Sequence, residues 1–223
     1  NQVPPLGGPR DSIPPILMAV RPQDSAINFN SKKIIFEFNE YVQVDNAAQN
    51  LLVSPTLKLN PEVTHKLRTI TVTIKDTLDA NTTYSFNFGD AIKDINEGNV
   101  LKDFTYVFST GQSLDSFHLE GKVILAETGK TDSTLIAALY KTGEDSAVMK
   151  QKARYIARLD REGNYMFKNL PAGTFYLYTF ENKGGQKVFG GGKDLFGFAD
   201  SPVEIGKTSI ADTLYAYAGK AEP

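Results

Sequence analysis

Asp90, Asp94, Asn96, Glu97 and Asn99 crowd side-chain oxygens into the stretch DAIKDINEGN (90–99). Oxygen donors at such short spacing are what a calcium loop needs. The EF-hand order is not met, because Gly98 stands at the wrong offset and the closing glutamate is missing. The competing reading is a solvated turn built from Asn and Gly. Asp90, Asp94, Asn96 and Asn99 are the metal candidates on these terms.

Catalytic chemistry has little to draw on. The chain has no cysteine, which removes disulfides, thiolate metal sites and cysteine nucleophiles. Its two histidines, His65 and His118, lie far apart in sequence, so a His-based zinc site or a Ser-His-Asp triad is poorly supplied. Glu37 and Glu40 flank Phe38 at the end of a strand. Lys193 follows three glycines, but Asp194 stands where a P-loop carries Ser or Thr and would repel phosphate. No acid, base and nucleophile set stands out. The expectation is a protein that is not an enzyme and carries no cofactor.

Aromatic residues offer a second kind of chemistry, recognition. In NYMFKNLPAGTFYLYTF (164–180), Tyr165 and Phe167 share one strand face. Beyond Leu-Pro-Ala-Gly, Phe175, Leu177 and Thr179 share one face, and Tyr176, Tyr178 and Phe180 the other. One reading is a hairpin that fills a core, with Leu170 as a plug and Gly173 as the bend. The other leaves Tyr176 and Tyr178 exposed as a platform for sugar or protein. The Gly-rich stretch GGQKVFGGGKDLFGF (184–198) is unusually apolar for a loop. It either covers part of the second unit or meets a partner. Tyr176, Tyr178, Phe189, Phe196 and Phe198 are therefore the candidate interaction surface.

The elements that must position these residues are strands. RTITVTI (68–74), YSFNF (84–88), FTYVF (104–108) and KIIFEF (33–38) alternate apolar and polar residues with period two. Breakers such as DANTT (79–83) and NEGN (96–99) separate them. A short helical turn fits 44–52. Residues 146–159 pass for an amphipathic helix, but their later part reads as a strand leading into an Asp-x-x-Gly-Asn hairpin turn. A break at 112–116 divides the chain. The expected organisation is a Pro/Gly tether over 1–13, a β-sandwich over 14–111 and a second over 117–223, an all-β fold throughout. Five of the eleven prolines lie in the first fifteen residues, which rules out helix or inner strand there. The net charge of −2 leaves no basic excess for nucleic acid, and no apolar stretch is long enough to span a bilayer as a helix. The chain starts at Asn1 rather than Met, so the expectation is a processed product.

Two stretches carry family resemblances. DSIPPILMAVRPQDSAINFNSKKIIFEFNEYV, with LDANTTYSFNFGDAIKDINEGNVL and YVFSTG, resembles the S-layer-type bacterial Ig-like domain (Big_5) over residues 12–111. That resemblance implies that Glu40 is structural, accepting backbone N–H groups near a turn. EGKVI (120–124) and DREGNYMFKNLPAGTFYLYTFEN (160–182) resemble the carboxypeptidase regulatory-like, prealbumin-like sandwiches close to CNA-B repeats. PPLGGPRD (4–11) is similar to the start of Bacteroidetes surface lipoproteins just after their lipidated cysteine. These resemblances imply an exported, non-catalytic envelope protein, anchored to the outer membrane only through lipid on a cysteine upstream of Asn1. Its work would be adhesion, spacing or docking to an envelope protein or glycan. The alternatives they leave open are a carbohydrate-binding module of a glycan-uptake system and a structural periplasmic interaction protein. Ser12, Ser25, Thr77, Ser133, Ser146 and Thr213 each follow an aspartate and precede Ala, Ile, Leu or Thr, a pattern similar to the O-glycosylation sites of secreted Bacteroidetes proteins.

Overall fold

The structure, a computed structural model, describes residue 8 and residues 10–219. Most of the expected tether, and with it most of PPLGGPRD, lies outside the described residues. The chain is nearly all β. In the amino-terminal half the strands are β1 (Leu17–Arg21), β2 (Lys33–Phe38), β3 (Val42–Val44), β4 (Leu52–Ser54), β5 (Glu62–Lys66), β6 (Thr69–Thr73), β7 (Thr83–Gly89), β8 (Ile92–Asp94), β9 (Val100–Leu101) and β10 (Phe104–Ser109). One helical turn, α1 (Ala47–Asn50), precedes β4. The sheets run β1-β2-β6-β5, β10-β7-β4 and β3-β8-β9.

The four alternating runs become β2, β6, β7 and β10. A period of two sends every second side chain inward. Ile34, Phe36, Phe38, Ile70, Val72, Tyr84, Phe86, Phe88, Tyr106 and Phe108 thus meet in one core. Aromatic rings dominate it and pack edge to face: Phe36 lies 5.8 Å from Phe88 and 5.4 Å from Tyr106, both near perpendicular. Burial of each such ring contributes roughly 1.5–3 kcal/mol.

The carboxy-terminal half contains β11 (Phe117–Leu125), β12 (Leu135–Tyr140), α2 (Asp145–Lys150), β13 (Tyr155–Arg158), β14 (Asn164–Leu170), β15 (Gly173–Glu181), β16 (Leu195–Phe198), β17 (Val203–Ile205) and β18 (Leu214–Ala218). The strand order is β13-β12-β15-β16-β18-β11-β14, with β17 on β15. A bridge between Leu159 and Tyr165 joins the two ends of this path, so the sheet curls round a single core. The segment 146–159 starts as helix and finishes as strand. The turn after it is the expected hairpin: Asp160 Oδ1 accepts the N–H groups of Glu162 and Asn164 at 3.0 and 2.8 Å. Gly163 sits at φ +81°, where a Cβ would come within 2.4 Å of the Val123 carbonyl, so only glycine fits.

Leu-Pro-Ala-Gly is not a hairpin. β14 pairs with β11, whereas β15 pairs with β12, β16 and β17. Phe167 and Leu170 of β14 and Phe175 and Leu177 of β15 fill the same core. The two strands belong to different stretches of the curled sheet, so the short connection crosses the end of the core instead of folding back in plane. Leu170, fully buried, plugs that end.

Candidate functional site

The outer face of β12, β13 and β15 is also covered. Ile136, Ala138, Tyr140, Ile156, Tyr178 and Phe180 form a second apolar cluster beneath Ala147 and Val148 of α2. Phe189 and Phe196 pack on it, 4.7 Å apart, and Tyr178 meets Tyr140 edge-on at 5.4 Å. Tyr178 is buried; Tyr176, Phe189 and Phe196 are half-buried. The surface expected from Tyr176, Tyr178, Phe189, Phe196 and Phe198 is therefore corrected, since only Phe198 is exposed. Both faces of β15 are apolar, and the Gly-rich loop with α2 supplies the lid that alternation demands. Exposed rings lie one strand further along. Phe198, Tyr215 and Tyr217 are 47%, 56% and 44% exposed on β16 and β18.

The same cluster contains Leu52 of β4, so it continues into the amino-terminal half. Residues 50–58 are gripped along their length. Ser54 Oγ donates to the Ile156 carbonyl at 3.4 Å and accepts the Ile156 N–H at 3.1 Å. The Thr56 N–H donates to the Arg154 carbonyl at 2.9 Å. Three cations also reach across onto backbone carbonyls. Arg158 Nη2 donates to Asn50, and its Nη1 to Asn87 Oδ1 at 2.7 Å. Lys187 Nζ donates to Leu51 at 3.1 Å. Lys152 Nζ donates to Leu57 and Lys58 at 3.2 and 3.4 Å. Arg154 pairs with Asp79 at 2.9 Å.

The electrostatics of this joint are one-sided. Burial lowers the pKa of Arg158, opposed by Asp90 and Asp103. Burial takes Lys187 down to about 8, and Lys152 and Arg158 push the same way. Both cations are held by carbonyl dipoles instead of carboxylates. The loop that carries Lys187 is fixed at several points. Asn182 Oδ1 accepts the Lys187 N–H at 2.9 Å, the Phe189 N–H donates to Val148 at 3.1 Å, and Lys183 pairs with Asp194 at 2.5 Å. Gly185, at φ +71°, lies against α1, where a Cβ would sit 3.0 Å from Gln49 Cα.

Beside the joint opens a cleft of about 1550 Å3, walled by residues such as Ser85, Asn87 and Thr105 on one side and Asn164, Met166 and Lys168 on the other. Neither histidine lines it; His65 and His118 are both exposed, on β5 and β11. The calcium candidates do not come together. Asp94 is fully buried, and its oxygens accept the N–H groups of Glu97, Gly98 and Asn99 at 2.6, 3.0 and 2.7 Å. Asp90 accepts the Asp103 N–H, Asn99 Nδ2 donates to the Asp11 carbonyl and Asn96 faces solvent. This is a turn closed by a carboxylate, and no metal-holding group forms among the described residues. Glu40 is not the backbone acceptor; Asn39 Oδ1 takes the Ile16 N–H at 2.7 Å instead. Burial and the nearby Asp94, Asp11 and Glu97 raise the Glu40 pKa. Ser12, Ser25, Thr77, Ser133, Ser146 and Thr213 are all exposed.

The two halves fold as separate sheets around separate cores, joined by side-chain hydrogen bonds, a backbone-to-backbone bond and one apolar seam. Residues 11–110 match the bacterial Ig-like domain family, Big_5. The amino-terminal half is hereafter the Ig-like unit. No curated protein matches the chain. Among solved structures, it is similar to BcpA, the major pilin subunit of Bacillus cereus, at 12% identity over 89% of this chain and 68% of that one, with a TM-score of 0.28. It is similar to an L,D-transpeptidase from Mycobacterium smegmatis at 14% identity, over 74% and 60%, with a TM-score of 0.29. It is similar to the N-terminal part of the bacterial S-layer protein SbsC at 18% identity, over 95% and 45%, with a TM-score of 0.29. The chain thus spans between about half and two thirds of these proteins. At such TM-scores none of the three bears on function.

Three basic side chains that reach across the joint, Lys152, Arg158 and Lys187, escaped the sequence reading. Each stands in a locally unremarkable context, and their carbonyl partners lie 71 to 136 residues away. The one local hint was the apolar character of the loop around Lys187.

Proposed function

We propose that the chain is a non-catalytic structural module of the bacterial cell envelope, presenting a docking surface to a partner protein or glycan at a fixed orientation. The joint is the observation that carries this reading. Apolar seam, backbone-to-backbone bond and hydrogen bonds from three basic side chains to backbone carbonyls act together over residues 50–58. Such a joint makes the two units move as one body, which is what a spacer requires. The Ig-like match is in keeping with an exported protein, and PPLGGPRD supports a lipid anchor on a cysteine upstream of Asn1. Small-angle scattering of the full chain tests the rigidity. One fixed shape is expected; a profile that fits only a broad set of interdomain angles defeats the reading. Co-purification from native membranes then identifies the partner.

A second reading, a carbohydrate-binding module, is favoured by Phe198, Tyr215 and Tyr217. Tyr178 pairs with Phe198 across β15 and β16, and Phe196 with Tyr217 across β16 and β18, so exposed rings continue the covered cluster. Sugars stack on rings held this way. A glycan array would show binding lost in Tyr215→Ala with Phe198→Ala, and an array without any hit counts against it.

A further inference from the structure

Lys187 occupies an unusual position for a lysine. It is 6% exposed, and its ammonium makes one hydrogen bond, to the Leu51 carbonyl, across the joint. A buried ammonium ordinarily has a carboxylate or several acceptors. The charges acting on it from the elements packed around it are Lys152, which follows α2, and Arg158 on β13. The carboxylates that flank this loop in the chain, Glu181 and Asp194, are engaged by Lys183. From the Ig-like unit, α1 faces the loop with Gln49, and Asp45 before it is paired with Lys93 at 2.5 Å.

We propose that the joint is a proton-controlled hinge, in which uptake of one proton by the Lys187 amine loosens the seating of the second unit on residues 50–58 and its loss tightens it. This rests on the joint described above and not on which partner the protein meets. The direction follows from linkage. The amine is harder to protonate when the units are seated, with a pKa of about 8, than when they part and it returns to its ordinary 10.5. Seating is therefore at its weakest below pH 8. It strengthens by about tenfold per pH unit between 8 and 10.5, then levels off.

The absence of cysteine allows two to be added at exposed sites for fluorescent labels, as Lys66→Cys in the Ig-like unit and Glu127→Cys in the second. Energy transfer in graded urea, read from pH 6.5 to 10.5, gives the urea concentration at which the units separate. That midpoint is expected to rise between pH 8 and 10.5 in the labelled parent relative to Lys187→Met, which keeps the aliphatic reach but cannot take the proton. Lys152→Gln removes a repelling charge and is expected to move the rise to higher pH. Should Lys187→Met fail to fold, Lys187→Gln serves in its place. Parent and Lys187 variant following the same pH course overturns the proposal, while leaving the rigid-spacer reading to the scattering experiment.

Discussion

Asp94 and Tyr178 show what a residue's type reveals and what it hides. Asp94 looks like a metal ligand by composition, yet burial around its carboxylate is outweighed by N–H groups of its own turn, and its pKa falls below the ordinary 3.8. A carboxyl with a depressed pKa stabilises the fold fully above its unfolded value and loses that contribution as pH falls through its folded one. Resistance to urea should therefore weaken as pH drops below about 3.8, and Asp94→Asn should flatten that part of the profile. At pH 7, Asp94→Ala is expected to cost about 2–3 kcal/mol, because buried N–H donors lose a charged acceptor. Tyr178 was legible as a face and not as an environment. Alternation fixes which side of β15 it occupies, while the lid above it arrives from α2 and from a loop beyond β15. Tyr178→Ala is expected to cost about 3–5 kcal/mol, the range for a buried aromatic, and Phe198→Ala within about 0.5 kcal/mol. Equal losses in thermal unfolding would mean that the lid does not cover Tyr178.

At the scale of elements, the strands with strict alternation were readable because one face is apolar and the other polar. β2, β6, β7 and β10 all follow that rule. β12 and β15 did not yield their surroundings so easily, because they are apolar on both faces: LIAALY is buried at every position. Composition alone cannot separate a strand with two covered faces from one with an exposed apolar face. The Gly-rich loop posed the same ambiguity and resolves as a clasp on α1. Gly185→Val should lift this clasp, since its Cβ meets Gln49 in a backbone conformation that branched residues avoid. A loss of about 1–3 kcal/mol is expected, together with faster hydrogen exchange at the Phe189 amide. Unchanged exchange there would show that the loop is held by Phe189 and Lys187 alone.

For the molecule as a whole, the sequence disclosed an all-β chain, but not the joint. That joint depends on carbonyls, which every residue possesses and which leave no trace in side-chain pattern. Arg158 makes the point, since it donates to the backbone carbonyls of Asn50 and Asn87. Arg158→Met is expected to leave each unit folded while widening the range of interdomain angles seen by scattering, with the carbonyl of Asn50 left without its donor. An unchanged scattering profile would assign the rigidity to the Leu52 seam instead. One pairing in the second unit bears on how it would carry a load. Its first strand, β11, and its last, β18, lie side by side and parallel, with Val123, Ile124 and Leu125 opposite Leu214, Tyr215 and Ala216. Tension applied through the chain on either side of this unit pulls those strands lengthwise past each other. Their hydrogen bonds then share the stress and must break together instead of one after another. A unit tied in this way resists stretching between its ends far better than peeling at a hairpin, and single-molecule pulling along those two directions would show the difference.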